Sequence, residues 1–136
     1  MAETFDLEVA TPERLVFRQA AAEAQIPAKS GYIGVLPGHA PLLSQLGTGY
    51  ASYVADGRKF FFALNGGFVE ILPDKVRVLA ETVEKAEEID VQRAEAALKR
   101  AQEQISSPHV EVDPALALSA MFRAQARIEA AAQLRK

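Results

Sequence analysis

Gly31-Tyr32-Ile33-Gly34-Val35-Leu36-Pro37-Gly38-His39-Ala40-Pro41-Leu42-Leu43 is the stretch from which the architecture can be read. Its thirteen positions hold three glycines, two prolines and six large apolar residues. Pro37 and Pro41 each remove a backbone donor and fix φ, which excludes a helix. Ile33, Val35, Leu36, Leu42 and Leu43 are too apolar for a solvated loop and are expected to be buried. The run reads as short buried strand pieces joined by tight bends.

Outward from that run the pattern stays β. Phe5, Leu7 and Val9 alternate with Asp6 and Glu8, the period-two signature of a half-buried strand. Val69 and Ile71 repeat it, as do Val76, Val78 and Ala80. Turn chemistry recurs at Asp56-Gly57, Asn65-Gly66-Gly67 and Pro73-Asp74. Asp56-Gly57, between apolar runs on both sides, predicts a tight hairpin. Strands punctuated in this way predict an antiparallel sandwich or barrel.

Composition then changes. All eight glycines lie at or before Gly67, and nine of the ten aromatics at or before Phe68. Past residue 88 there is no glycine, one aromatic (Phe122) and twelve alanines. This divides the chain into a β domain over 1–86 and a helical unit over 87–136. Val91, Ala94, Leu98, Ala101 and Ile105, with Ala97 beside them, recur at helical spacing. Ser106-Ser107-Pro108-His109 breaks the pattern, and Asp113-Pro114 restarts it as N-cap and first helical residue. Ala117, Ala120, Met121, Ala124, Ile128 and Ala131 form the second stripe. The short connection predicts an antiparallel helical hairpin. Alanine stripes bury little area, so the hairpin should be marginal alone and should lean on the β domain, a ligand or a partner.

Several function classes are disfavoured. The net charge of −3 argues against a non-specific nucleic-acid binder. Cysteine is absent, so disulfides and thiolate metal sites are out. No apolar run approaches the roughly 20 residues of a membrane span. The N-terminus is acidic and reads neither as a signal peptide nor as an Arg-rich presequence. A soluble, cytoplasmic protein is expected, unless a partner holds it at a membrane. The only histidines, His39 and His109, fall in different units without a nucleophile motif. Metal-ligand spacing and phosphate-binding glycine loops are missing. No catalytic residues and no metal site are expected.

Two features leave alternatives open. His39 is either a turn residue satisfied by nearby backbone or a surface contact on a rigid loop. Asp90 and Arg93 share a helix face, and Arg123 and Arg127 flank the second stripe. In an antiparallel hairpin Arg93 comes near Arg127, with Arg123 one turn further on. The three are either solvated, with Asp90 as an N-cap, or a phosphate site beside a helix N-terminus.

Pro37 to Leu43, Asn65-Gly66-Gly67-Phe68-Val69-Glu70 followed by the Val76-to-Ala80 strand, and Ser106-Ser107 together resemble the ε subunit of F-type ATP synthases over essentially the whole chain. The resemblance implies a flattened β-sandwich of about ten strands and a two-helix C-terminal domain. It implies a rotor subunit that binds the γ subunit and the ring of c subunits, couples proton flow to ATP synthesis, and does no bond-making itself. It puts the chain at the cytoplasmic face of a bacterial membrane, held there by the complex. His39, with Pro41 and Leu42, is then placed at the γ-facing surface, and Gly31 and Tyr32 by the turn that faces the c ring. Some relatives carry an acidic residue where Tyr32 stands.

The resemblance also implies a mobile hairpin that, when extended, inhibits ATP hydrolysis through basic contacts with the β subunit. Arg123, Arg127, Arg135 and Lys136 are the candidates. Some members bind ATP in the folded form through an [IL]-D-x-x-R-A motif. Ile89-Asp90-Val91-Gln92-Arg93-Ala94 matches it, Arg123 and Arg127 match the accompanying pair, and Glu84 corresponds to a further acidic member. ATP is a regulatory ligand in that reading, and no cofactor is required. A free-standing ATP sensor and an adaptor with a fixed hairpin are the alternatives.

Overall fold

A computed structural model describes residues 3–107 and 111–136, so Pro108 and His109 of the expected break lie outside the described residues. Eight strands precede two helices: β1 Phe5–Ala10, β2 Leu15–Ala21, β3 Glu23–Ala28, β4 Gly31–Val35, β5 Leu42–Gln45, β6 Thr48–Ala55, β7 Arg58–Ile71 and β8 Lys75–Lys85. A 3₁₀ turn, Ala86–Glu88, leads to α1 Val91–Ser106 and α2 Pro114–Ala132. The strands form one sheet in the order β2-β1-β8-β7-β6-β3-β4, with β5 beside β7. Every pair is antiparallel except β1 with β8, which run parallel.

The sheet closes over its own core. Phe17 of β2 stacks on Tyr53 of β6 with centroids 5.2 Å apart, although three strands separate β2 from β6. The alternating residues point inward as expected: Phe5, Leu7, Val9, Val69, Ile71, Val76, Val78 and Ala80 are all buried in one cluster. The Asp56-Gly57 turn joins β6 to β7 with both residues at positive φ, 52° and 75°, as a two-residue hairpin requires.

Strand β7 spans 14 residues and reverses its faces halfway. Phe62 and Leu64 point inward before Gly66-Gly67, and Val69 and Ile71 after it. The partner strand follows, with Val76, Val78 and Ala80 inward and then Val83 packed on the core. The pairing register is the same on both sides of the reversal, so the two-strand ribbon turns as a unit. Gly66 and Gly67 permit this with φ of 64° and 98°, values that a side chain disfavours. Eight strands thus take the place of about ten, because the long β7 and β8 each serve both layers.

The central run divides into β4 and β5 around a bend, as its prolines dictate. Its expected burial holds for Val35 but not for three leucines: Leu36, Leu42 and Leu43 are exposed. Part of the apolar run is therefore surface rather than core.

Both helices begin as their sequences direct. Asp90 caps α1 by accepting from the Arg93 N–H at 3.1 Å, and Asp113 caps α2 by accepting from the Ala115 N–H at 2.9 Å. Ala94 and Ala101 of α1, and Ala117, Ala124 and Ala131 of α2, are buried. Ala126 and Ala130 are buried as well, and pack with Ala63, Ala86, Tyr50, Phe61 and Ile89. Two residues advance a helix by about 200°, so Ala124 and Ala126 lie on opposite faces. Helix α2 is therefore a middle layer between α1 and the sandwich. Each buried methyl contributes about 0.8 kcal/mol, so an alanine seat is a weak one.

Candidate functional site

The strand register assembles two rows on the outer face of the sandwich. One runs Gln45, Phe68, Leu79, Ala10 and Leu15 across five strands. Leu15, Phe68 and Leu79 in it are each about half exposed, at 52%, 49% and 51%. The other runs Leu43, Glu70, Arg77, Glu8 and Arg18. Arg77 bridges Glu8 at 3.1 Å and Glu70 at 3.8 Å. Arg18 pairs with Asp6 at 2.8 Å, and its hydrogen bond draws the Asp6 carboxyl below its ordinary value. A groove of about 310 Å³ between Pro12, Gly67 and Leu79 adjoins the apolar row. Leucine and phenylalanine side chains side by side at this exposure form a surface suited to contact with another protein. The sequence missed this row, because Phe68 and Leu79 fall on the polar side of alternating strands and only the register brings them together.

A second feature lies between the hairpin and the sandwich. Asp90, Arg93, Ala94, Arg100 and Arg127 line a cleft of about 600 Å³, together with Glu84 and Glu88. Arg127 donates to Glu84 at 2.9 Å. Among the described residues neither Arg93 nor Arg100 has an ion-pair partner. Arg93 and Arg127 thus line one cleft from the two helices. Arg123 does not line this cleft: it donates to Ser119 at 2.7 Å and lines the adjoining groove, on the other side of Arg127, with Thr82 and Asn65. Ile89 packs in the alanine seat rather than lining the cleft. Arg100 joins the cleft without having been singled out; its seven-residue spacing from Arg93 was the available signal.

The remaining sites fall in two places. His39 bonds through Nδ1 to the Ala40 carbonyl at 2.6 Å, in the bend where the Gly38 N–H donates to Pro73. Pro41 and Leu42 follow it, both exposed. Gly31 and Tyr32 begin β4, where the Tyr32 hydroxyl donates to the Tyr50 carbonyl at 2.6 Å. Arg135 and Lys136 are exposed at the end of the chain. Among the described residues no group of three or more His, Cys, Asp or Glu could hold a metal, and no helix is long and apolar enough to cross a membrane.

A closed sandwich with a half-exposed apolar row and a lightly seated hairpin defines a subunit built for assembly. Residues 4–86 match the β-sandwich domain of the ATP synthase delta/epsilon chain, and residues 87–132 match its long α-helix domain. The ATP synthase epsilon chain of Solibacter usitatus is 54% identical over 131 residues, covering 96% of this chain and 98% of that one. The epsilon chain of Desulforamulus reducens is 40% identical, covering 96% and 99%. Among solved structures, a chain in the cryo-EM structure of the Euglena gracilis mitochondrial ATP synthase (OSCP/F1/c-ring) shares the fold. Its TM-score is 0.82 at 24% identity, covering 95% of this chain and 81% of that one. The chain belongs to the ATP synthase delta/epsilon chain family, as an epsilon-type, non-catalytic subunit of an F-type ATP synthase.

Proposed function

We propose that the chain is a central-stalk subunit, bound to γ through the outer face of the sandwich and to the c ring through the end that carries Gly31 and Tyr32. In that role it couples proton flow to ATP synthesis and sits at the cytoplasmic face of the bacterial membrane, held by the complex. The observation that carries the reading is the row of Leu15, Phe68 and Leu79, half exposed in the isolated chain beside the exposed Leu43 on the same face. Burying one such side chain contributes about 1.5–3 kcal/mol, so a γ surface laid across the row recovers what the fold leaves in water. The structural relatives come from a mitochondrial F1/c-ring assembly and, with a TM-score of 0.56, from a central stalk/c-ring structure of Tetrahymena thermophila.

The hairpin is the regulatory part of this reading. Its alanine seat lets α2 leave the sandwich, and Arg123, Arg127, Arg135 and Lys136 then meet acidic residues of the β subunit and inhibit hydrolysis. ATP in the cleft, held by Arg93, Arg100 and Arg127, binds the seated form and draws the balance away from inhibition. The guanidiniums of Arg93 and Arg100, without an ion-pair partner among the described residues, support this ligand class.

Co-purification with γ from the same enzyme tests the docking face. Phe68→Glu with Leu79→Arg should abolish it while the circular dichroism spectrum and melting point of the isolated chain stay unchanged. A folded double variant that still binds γ would overturn the assignment, and a wild-type chain that binds ATP but never γ would favour the free-standing sensor.

A further inference from the structure

Strand β4 is an edge of the sheet and, among the described residues, pairs only with β3. Strand β3 pairs with β6 at Glu23, Ala24 and Gln25 alone, so the far end of the β3–β4 hairpin lies beyond that ladder. Pro27, opposite Tyr32, has no N–H to extend it. The tip is instead tied down by the 45–49 segment, where the Lys29 N–H donates to Gln45 and the Gly47 N–H to Pro27. Tyr32 adds a side-chain tie. Its hydroxyl reaches across Gly49, where a Cβ would lie 3.4 Å from it, and donates to the Tyr50 carbonyl at 2.6 Å.

Tyr50 has a second duty. Its ring meets the Tyr32 ring edge-on at 6.3 Å and the Phe61 ring at 6.2 Å. Tyr50 and Phe61 are also the aromatic part of the seat on which Ala126 and Ala130 of α2 rest. Gln133, just past α2, lines an open groove of about 270 Å³ with Tyr32, Tyr50 and Phe61. The hairpin seat and the strand tip thus share one residue.

We propose that Tyr32 couples the tip of the β3–β4 hairpin to the seating of α2, so that departure of the helix loosens the tip and a loosened tip weakens the seat. This rests on the reading that α2 can leave the sandwich. With α2 gone, Tyr50 and Phe61 lose their apolar cover, and water competes for the Tyr32–Tyr50 bond. The reciprocal effect is a thermodynamic necessity once the first exists. Burial raises the Tyr32 phenol above its ordinary value, and Glu129 of α2 adds to the rise, so the helix already contributes to the surroundings of that hydroxyl. The consequence is a message carried between the helices and the β4 edge of the sheet.

Amide hydrogen exchange on the full chain reads this directly. Ala126→Glu with Ala130→Glu should unseat α2 and raise exchange over 31–35 about five-fold, the worth of one net hydrogen bond, while β1 and β8 stay protected. Tyr32→Phe should raise exchange at the tip by itself, and the alanine changes should then add nothing there. Exposure of α2 with no change over 31–35 would overturn the coupling. Continued protection of α2 in the glutamate variant would instead refute a releasable hairpin. In that case Tyr32→Ala decides the coupling: faster exchange over 126–132 supports it, and unchanged exchange there overturns it.

Discussion

Arg127 of α2 donates to Glu84 of β8 at 2.9 Å, and among the described residues this is the one ion pair that joins the helices to the sandwich. Each side chain keeps more than a third of its surface in water, at 36% and 37%. A pair so exposed contributes at most about 1 kcal/mol. Glu84→Gln should therefore weaken the seating of α2 only slightly, read as faster amide exchange in 121–132. Added salt should speed the same exchange in the wild type and leave the variant unmoved. A large loss of protection would mean that the clamp, rather than the alanine seat, holds the helix.

Asp90 separates capping from ligand binding in the cleft. Its carboxylate accepts the Arg93 N–H, so Asp90→Ala removes an N-cap at a cost of about 1 kcal/mol, whereas Asp90→Ser retains one. Arg93→Ala and Arg100→Ala leave that cap in place and remove guanidiniums that have no other ion pair. In an ATP titration by heteronuclear NMR each arginine variant should lose about ten-fold or more in affinity, as for a charge-assisted bond to phosphate. Unchanged affinity in both would remove the cleft from consideration as the nucleotide site.

The reversal of β7 depends on Gly67 more than on any other glycine. A Cβ there would collide with the Leu79 carbonyl across the ribbon, and its φ of 98° is unfavourable to any L side chain. Gly67→Ala should cost about 3 kcal/mol or more in urea unfolding, through strain plus clash. Gly57→Ala, also at positive φ but with open space around it, should cost less. Equal losses would show that the ribbon relaxes around residue 67.

Much of the fold was legible because local rules and tertiary placement agree. Asp56-Gly57 gave a hairpin, Asp113-Pro114 a helix start, and the Phe5-Leu7-Val9 alternation an inward face. What escaped was whatever depends on register or on a third layer. Leu43, Phe68 and Leu79 look like core or accident until β5, β7 and β8 are aligned. Ala126 and Ala130 look like helix filler until the sandwich is laid against them. Hairpin geometry and the family resemblance both group Arg123 with Arg93, but the Arg127–Glu84 pair stands between them. Tyr32 and His39 lie apart, as their assignment to different faces implies: one is tied to Tyr50 beside α2, the other sits in the bend beside Pro73.

The Asp6–Arg18 pair gives the sandwich an acid-side signature of its own. The Arg18 hydrogen bond is the largest influence on the Asp6 carboxyl and draws it below 3.8. A carboxylate whose folded value lies below its unfolded one stabilises the fold above the unfolded value, and loses that contribution as pH falls through the folded value. Arg18→Met should thus melt earlier than the wild type at pH 7, by a small margin because both groups face water. The two curves should converge once the pH has fallen below the folded value, where Asp6 is protonated with or without its partner. A difference that persists at that pH would mean Arg18 stabilises β2 through its aliphatic stem rather than through its charge.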